Sequence, residues 1–252
     1  MKIYKDIPYA NDGSPYHLID LWLPDGACKA LLVYFHGGGF VEGSRDISPM
    51  IHFAEDMTES GIGVASAEYR MYPDARYPEF IEDAAEAVAF AKRELTKIAG
   101  CDKLIVSGTS AGAYLTMMLC FDESRLGKHG IANEDIVAYI HDAGQPTTHF
   151  NVLKERGIEP SSVTVDEAAP IYHVKSCDYP PMRIIVSDND IPHRREQTEQ
   201  LIEKLITCGY SAKNIDYTIT HGTHVWYVTK TDEIGKNEFA NLIIPFIKNV
   251  YK

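Results

Sequence analysis

An α/β architecture, with a mainly parallel central sheet covered by helices on both faces, is what this sequence predicts. Three observations carry that expectation. Short apolar runs alternate with helical repeats along most of the chain, the pattern of successive strand–helix–strand crossovers. Ala30 to Phe35 is a continuous apolar run of six, as in a strand buried on both faces. The strand-like Leu104 to Ser107 leads through Gly108-Thr109-Ser110-Ala111-Gly112 directly into a helix-forming run, Ala111 to Phe121.

Taken in order, the Asn11-Asp12-Gly13 turn precedes a strand from His17 to Leu23, which Pro24-Asp25-Gly26 ends. Ala30 to Phe35 follows. Ser48-Pro49 reads as an N-cap with proline at the first helical position, opening a helix to about Ser60 that Gly61 stops. Ile62 to Tyr69 is the next strand. From Pro78 to Ala99, apolar residues recur at helical spacing and Gly100 ends the run. After Ala111 to Phe121 come a short strand at Ile136 to Ile140 and another at Arg183 to Ser187. A helix from Arg194 to Cys208 ends at Gly209. Asn214 to Thr220 alternates as a strand, and Glu233 to Tyr251 reads as an amphipathic helix interrupted by Pro245. Between Ala143 and Pro181 the alternation lapses, with only a short helical candidate near Phe150 to Arg156. We therefore expect one domain over residues 1–252, with a small cap-like insertion at roughly 143–181.

Composition narrows the function. A net charge of −12 argues against nucleic acid, whose phosphates repel it, and against an anionic membrane surface. No run reaches the ~18 apolar residues of a membrane span. The N-terminal Met1-Lys2-Ile3-Tyr4-Lys5-Asp6 has no apolar stretch behind its lysines, unlike a signal peptide. Cys28, Cys101, Cys120, Cys177 and Cys208 are odd in number and scattered. That suits free thiols in a reducing cytoplasm rather than a disulfide framework or a zinc site.

The Gly108 to Gly112 stretch has the order a nucleophile elbow requires. Glycines permit the tight reversal, and the serine is exposed at its apex. A serine hydroxyl becomes nucleophilic only when a base removes its proton, and that base needs an orienting carboxylate. Downstream, Ser187-Asp188-Asn189-Asp190 stands at the end of one strand and His221-Gly222-Thr223-His224 at the end of the next. Open α/β sheets place their sites at such strand ends.

His36-Gly37-Gly38-Gly39-Phe40 follows an early strand, Tyr69-Arg70-x-x-Pro73, Tyr77-Pro78 and Glu82-Asp83-Ala84 lead into a helix, and the elbow has the Gly-x-Ser-Ala-Gly form. With these motifs, in this order, the chain resembles the α/β-hydrolase family, and within it the carboxylesterases that carry a His-Gly-Gly-Gly segment. The resemblance extends from roughly Asp20 to the last helix. It implies an α/β-hydrolase fold with about eight strands, Ser110 as nucleophile and His224 as general base. It also implies that the N–H groups of Gly38, Gly39 and Ala111 hold the oxyanion. The family's Gly-x-x-Asp has Ser187 in place of its glycine; counting from it favours Asp190 as the triad acid, with Asp188 the alternative. The family's histidine follows a Gly-x turn, which favours His224 over His221.

His36 is expected to hold its loop in place rather than to catalyse. A metal site at His141, Asp142 and His149 is disfavoured by irregular spacing and the lack of a fourth ligand. Phe40, Tyr114, Asp142, Tyr172 and Trp226 are candidates for substrate contact. The expected activity is that of a serine carboxylesterase acting through an acyl-enzyme on a small-molecule, small-acyl ester, with no cofactor or metal. By analogy with relatives of this size, that ester is an acetylated or feruloylated carbohydrate. The rivals are an amide-directed hydrolase with the same triad, such as a formamidase or small peptidase, and a non-catalytic ligand receptor on the same fold.

Overall fold

The computed structural model describes residues 1–47 and 50–251. They form one eight-stranded sheet of order β1-β2-β4-β3-β5-β6-β7-β8. The strands are β1 (Lys2–Pro8), β2 (Leu18–Leu23), β3 (Ala30–Phe35), β4 (Ile62–Ala67), β5 (Leu104–Thr109), β6 (Ile136–Asp142), β7 (Met182–Asn189) and β8 (Ile215–Thr223). Pairing is antiparallel at β1·β2 and β2·β4 and parallel from β4 to β8. The parallel register sets Phe35 beside Gly108 and Thr109 beside Asp142. The C-terminal ends of β3, β5, β6, β7 and β8 therefore share one edge of the sheet.

Strand alternation divides the core in two. On one face Leu31, Val33, Phe35 and Val106 pack with residues of α2 (Glu79–Phe90), α4 (Ala111–Phe121) and α7 (Arg194–Thr207). On the other, Leu32, Tyr34, Ile105 and Ile140 pack with α1 (Ile51–Glu59) and α8 (Glu238–Val250). All six residues of β3 are buried, as a strand covered by helices on both faces must be. The helix α2 continues through a π-turn, Ala91–Leu95, into α3 (Thr96–Ala99), and Gly100 ends the run in the left-handed region.

The structure departs from these expectations in several elements. The strand β1 was not foreseen, because its residues are mostly exposed and alternate no apolar face. The proposed opening of the first helix at Ser48-Pro49 lies outside the described residues. The last helix begins at Glu238, five residues late. Asp232 and Lys236 close a turn through Gly235, Thr231 bridges Asn237, and Asn237 Oδ1 caps the helix by accepting from Ala240 N–H at 2.9 Å. That helix also runs on through Pro245 rather than breaking there. A short helix, α5 (Ser124–Gly127), was also unread.

Between β6 and β7, residues 143–181 carry α6 (Phe150–Glu155) and a single 3₁₀ turn, Pro170–His173. Among the described residues, no helix is long and apolar enough to cross a membrane.

Phe239 anchors α8, stacking on Phe53 at 5.4 Å and on Tyr227 at 6.2 Å between ring centroids. Phe239→Ala is expected to cost about 3–5 kcal/mol, because the sheet cannot collapse into the space left. Urea unfolding of the two proteins measures it; a loss under 1 kcal/mol would mean α8 is not docked as described.

Candidate active site

The strand β5 ends at Thr109 and α4 begins at Ala111, so Ser110 alone makes the turn. Its φ of 55° and ψ of −111° are a backbone state that non-glycine residues occupy only under constraint. The constraint is close packing. A Cβ on Gly108 would meet Gly112 O at 2.3 Å, and one on Gly112 would meet Phe35 O at 2.1 Å. Only glycine lets α4 seat this tightly against β5 and β3. Ser110 N–H also donates to Asp142 O at 2.7 Å, pinning the turn to β6.

Three side chains from three loops meet at the turn. Ser110 Oγ lies 2.8 Å from His224 Nε2, and His224 Nδ1 lies 2.6 Å from Asp190 Oδ1. The Asp190 side chain is 1% exposed and His224 22%. Burial pushes the Asp190 carboxyl up, but the hydrogen bond and charge of His224, with N–H bonds from Ile191 and Ser187, more than offset it. The carboxyl is held below the usual range, ionised and acceptor-only. That fixes His224 Nδ1 as a donor and leaves Nε2 to accept from the serine hydroxyl. Asp188 faces elsewhere, pairing at 2.5 Å with His221, whose side chain is 97% exposed.

The glycine loop lies against this turn. An added Cβ on Gly37 would sit 3.2 Å from Ser110 Cβ. Gly38 has a φ of 114°, and a Cβ there would meet Glu42 O at 1.9 Å. Among the described residues, no hydrogen bond engages the N–H of Gly38 or Gly39. Ala111, at the first position of α4, has no preceding helical turn to accept from its N–H. His36 braces the loop: Nδ1 bonds Gly37 O at 2.7 Å, Nε2 reaches Glu68 at 2.9 Å, and the ring stacks on Tyr69 at 4.4 Å. Asn151 of α6 adds a tie, donating from Nδ2 to Gly39 O at 2.5 Å.

Sequence reasoning missed a buried polar clamp behind the turn. Asp142 is fully buried. Its Oδ2 accepts from Thr109 Oγ1 at 2.8 Å, its Oδ1 accepts from the Tyr227 hydroxyl, and Tyr34 donates to Thr109 at 3.1 Å. One carboxyl thus joins the residue before Ser110 to the segment three residues past His224. Burial pushes its pKa up to about 7, despite bonds from Tyr227 and Thr109.

Several candidate substrate contacts are displaced by these facts. Asp142 is committed to the clamp and has no exposed surface. Phe40 and Tyr114 are likewise fully buried. Phe40 stacks on Phe80 at 4.2 Å and meets Tyr114 edge-on at 5.7 Å, and the Tyr114 hydroxyl donates to Ala168 O. Both are core because the glycine loop folds inward over α2 and α4. Tyr172 is 47% exposed at the end of the 3₁₀ turn, and Trp226 is partly buried, its indole packed over Gly222. Of the disfavoured metal ligands, His141 Nδ1 bonds Thr116 at 2.8 Å and His149 Nδ1 caps α6 by accepting from Asn151 N–H at 3.2 Å. Among the described residues, no group of three or more His, Cys, Asp or Glu is placed to hold a metal ion.

The profile of the alpha/beta hydrolase fold family matches residues 32–152. A kynurenine formamidase, avaC of Aspergillus versicolor, is 29% identical over 136 residues, 46% of this chain and 47% of its own length. Esterase LipC of Mycobacterium tuberculosis is 26% identical over 220 residues, 78% of this chain and 53% of its own. The chain thus spans about half the length of these curated relatives. Among solved structures, esterase B from Lactobacillus rhamnosis superposes with a TM-score of 0.79 at 15% identity, covering 99% of this chain and 86% of that one. A truncated carbohydrate esterase from gut microbiota gives 0.77 at 16%, covering 100% and 96%. At such identities the structural likeness speaks for the fold alone.

The buried carboxyl of Asp142 has a thermodynamic signature. It binds a proton more readily folded than unfolded, so stability falls as pH rises from about 4 to about 7. The total change is on the order of a few kcal/mol. Asp142→Asn is expected to flatten that window in thermal melts run from pH 4 to 8; parallel profiles for the two proteins would refute the raised pKa.

Proposed function

We propose that this chain is a serine carboxylesterase acting on a small-acyl ester, a reading supported by the match of residues 32–152 to the alpha/beta hydrolase fold family. What carries the reading is a single line of contacts: Ser110 Oγ to His224 Nε2 at 2.8 Å, then His224 Nδ1 to Asp190 at 2.6 Å. His224 takes the Ser110 proton as Oγ attacks the ester carbonyl. The resulting oxyanion is received by the N–H groups of Gly38, Gly39 and Ala111, each such donor contributing ~3 kcal/mol to the transition state. Collapse expels the alcohol, to which His224 returns the proton. Water activated by the same imidazole then releases the acid. No step calls for a cofactor or metal.

We take residues 1–252 as one catalytic domain and 143–181 as its short cap, which suits an open site and a small acyl group. An acetylated or feruloylated carbohydrate is the substrate we favour. The superposition on a carbohydrate esterase lends that choice support by analogy only. Among the described residues all five cysteines are free, in keeping with a cytoplasmic location. A second reading, hydrolysis of an amide, is favoured by the similarity to a kynurenine formamidase, since the triad itself does not separate the two bonds.

A fluorophosphonate probe is expected to label the wild-type protein and not Ser110→Ala. Asp190→Asn should lower kcat by roughly four orders of magnitude, and Asp188→Asn should leave it within about twofold, as an exposed pair would. The opposite ranking would exchange the two carboxylates. p-Nitrophenyl acetate should be cleaved far faster than p-nitroacetanilide, and faster than long-chain p-nitrophenyl esters. Preference for the anilide would establish the amide reading.

A further inference from the structure

Beside the glycine loop lies an open pocket of about 340 Å³ whose lining includes Val41, Tyr72, Arg76, Asn151, Lys154 and Glu155. It abuts the proposed oxyanion loop. Val41 N–H donates to Gly38 O at 3.0 Å, Tyr72 N–H to Phe40 O at 2.8 Å, and Asn151 Nδ2 to Gly39 O at 2.5 Å. The lining of the pocket is therefore tied by hydrogen bonds to the backbone of the proposed oxyanion loop.

The charges of the pocket are unequal in availability. Arg76 and Lys154 are both exposed, and among the described residues neither takes part in a salt bridge. Glu155, the acid in the lining, is engaged by the Tyr72 hydroxyl at 2.6 Å and by Tyr77 N–H at 3.2 Å. Two available cations are an exception in a chain of net charge −12, whose overall field repels anions. Apolar surface adjoins them, from the Tyr72 ring and from Val41, which is 57% exposed. A guanidinium and an ammonium beside an apolar wall suit a carboxylate attached to a small ring or chain.

We propose that this pocket receives a carboxylate-bearing portion of the substrate, so that the preferred esters are anionic. The proposal rests on the esterase reading of Ser110. It narrows the substrate by charge, which the triad leaves open.

The test compares 4-acetoxybenzoate, an anionic acetate ester, with its neutral methyl ester. Arg76→Glu combined with Lys154→Glu should lower the ratio of kcat/KM for the anionic over the neutral ester by roughly tenfold, mainly through KM. The milder Arg76→Gln and Lys154→Gln proteins guard against misfolding and should each show part of the effect. An unchanged ratio in variants that still cleave the neutral ester overturns the proposal and leaves the esterase reading standing. If the wild-type protein cleaves neither ester, that reading fails. Calorimetric binding of 4-hydroxybenzoate to the Ser110→Ala protein then decides the pocket alone: weakening on charge reversal supports it, and absent or unaltered binding overturns it.

Discussion

Ser110 is held in a conformation it would not choose. Left-handed backbone costs an L residue on the order of 1–3 kcal/mol, and the surrounding structure must supply that. It does so by forbidding every relaxed alternative. Gly108 and Gly112 touch each other's backbone, α4 rests on the carbonyl of Phe35, and Ser110 N–H is tied to Asp142 O. The rest of the site is referred to this one turn. The glycine loop is fitted against it, the base reaches down to it, and the sheet order sets the distance to both.

Electrostatics around the turn are graded by depth. Asp190 lies close to the surface behind His224 and stays ionised because N–H groups and the imidazole compensate its burial. Asp142 lies deeper, receives only hydroxyl donors, and is driven toward its protonated form. Two carboxyls near the ends of neighbouring strands thus acquire different characters from their depth and their donors together. Arg194, at the start of α7, is nearly buried as well, and burial pushes its guanidinium down to about 10. It spends its donors on the Ala143 and Gln145 oxygens, fixing the chain just past β6.

Legibility from sequence followed the range of the interactions. The parallel strands announced themselves through unbroken apolar runs, and the elbow through glycine spacing dictated by contacts four residues apart. The preference for Asp190 over Asp188 rests on counting along a resemblance; in the structure His224 contacts Asp190 and His221 contacts Asp188. What stayed hidden depends on residues distant in the chain. The Asp142 clamp joins Thr109 to Tyr227, and no spacing rule links those positions. Burial of Phe40 and Tyr114 follows from how the glycine loop turns inward, which composition does not encode. The exposed edge strand β1 lacks the apolar face that periodicity detects, and the Gly235 turn disguised the start of α8.

Asn151 has a further significance. The segment between β6 and β7 is where the chain departs from sheet-and-helix order, and it does not itself carry Ser110, Asp190 or His224. Yet one amide from that segment holds the carbonyl of Gly39. Variation in that segment is thereby felt at the glycine loop, and Asn151 is a point at which it arrives there.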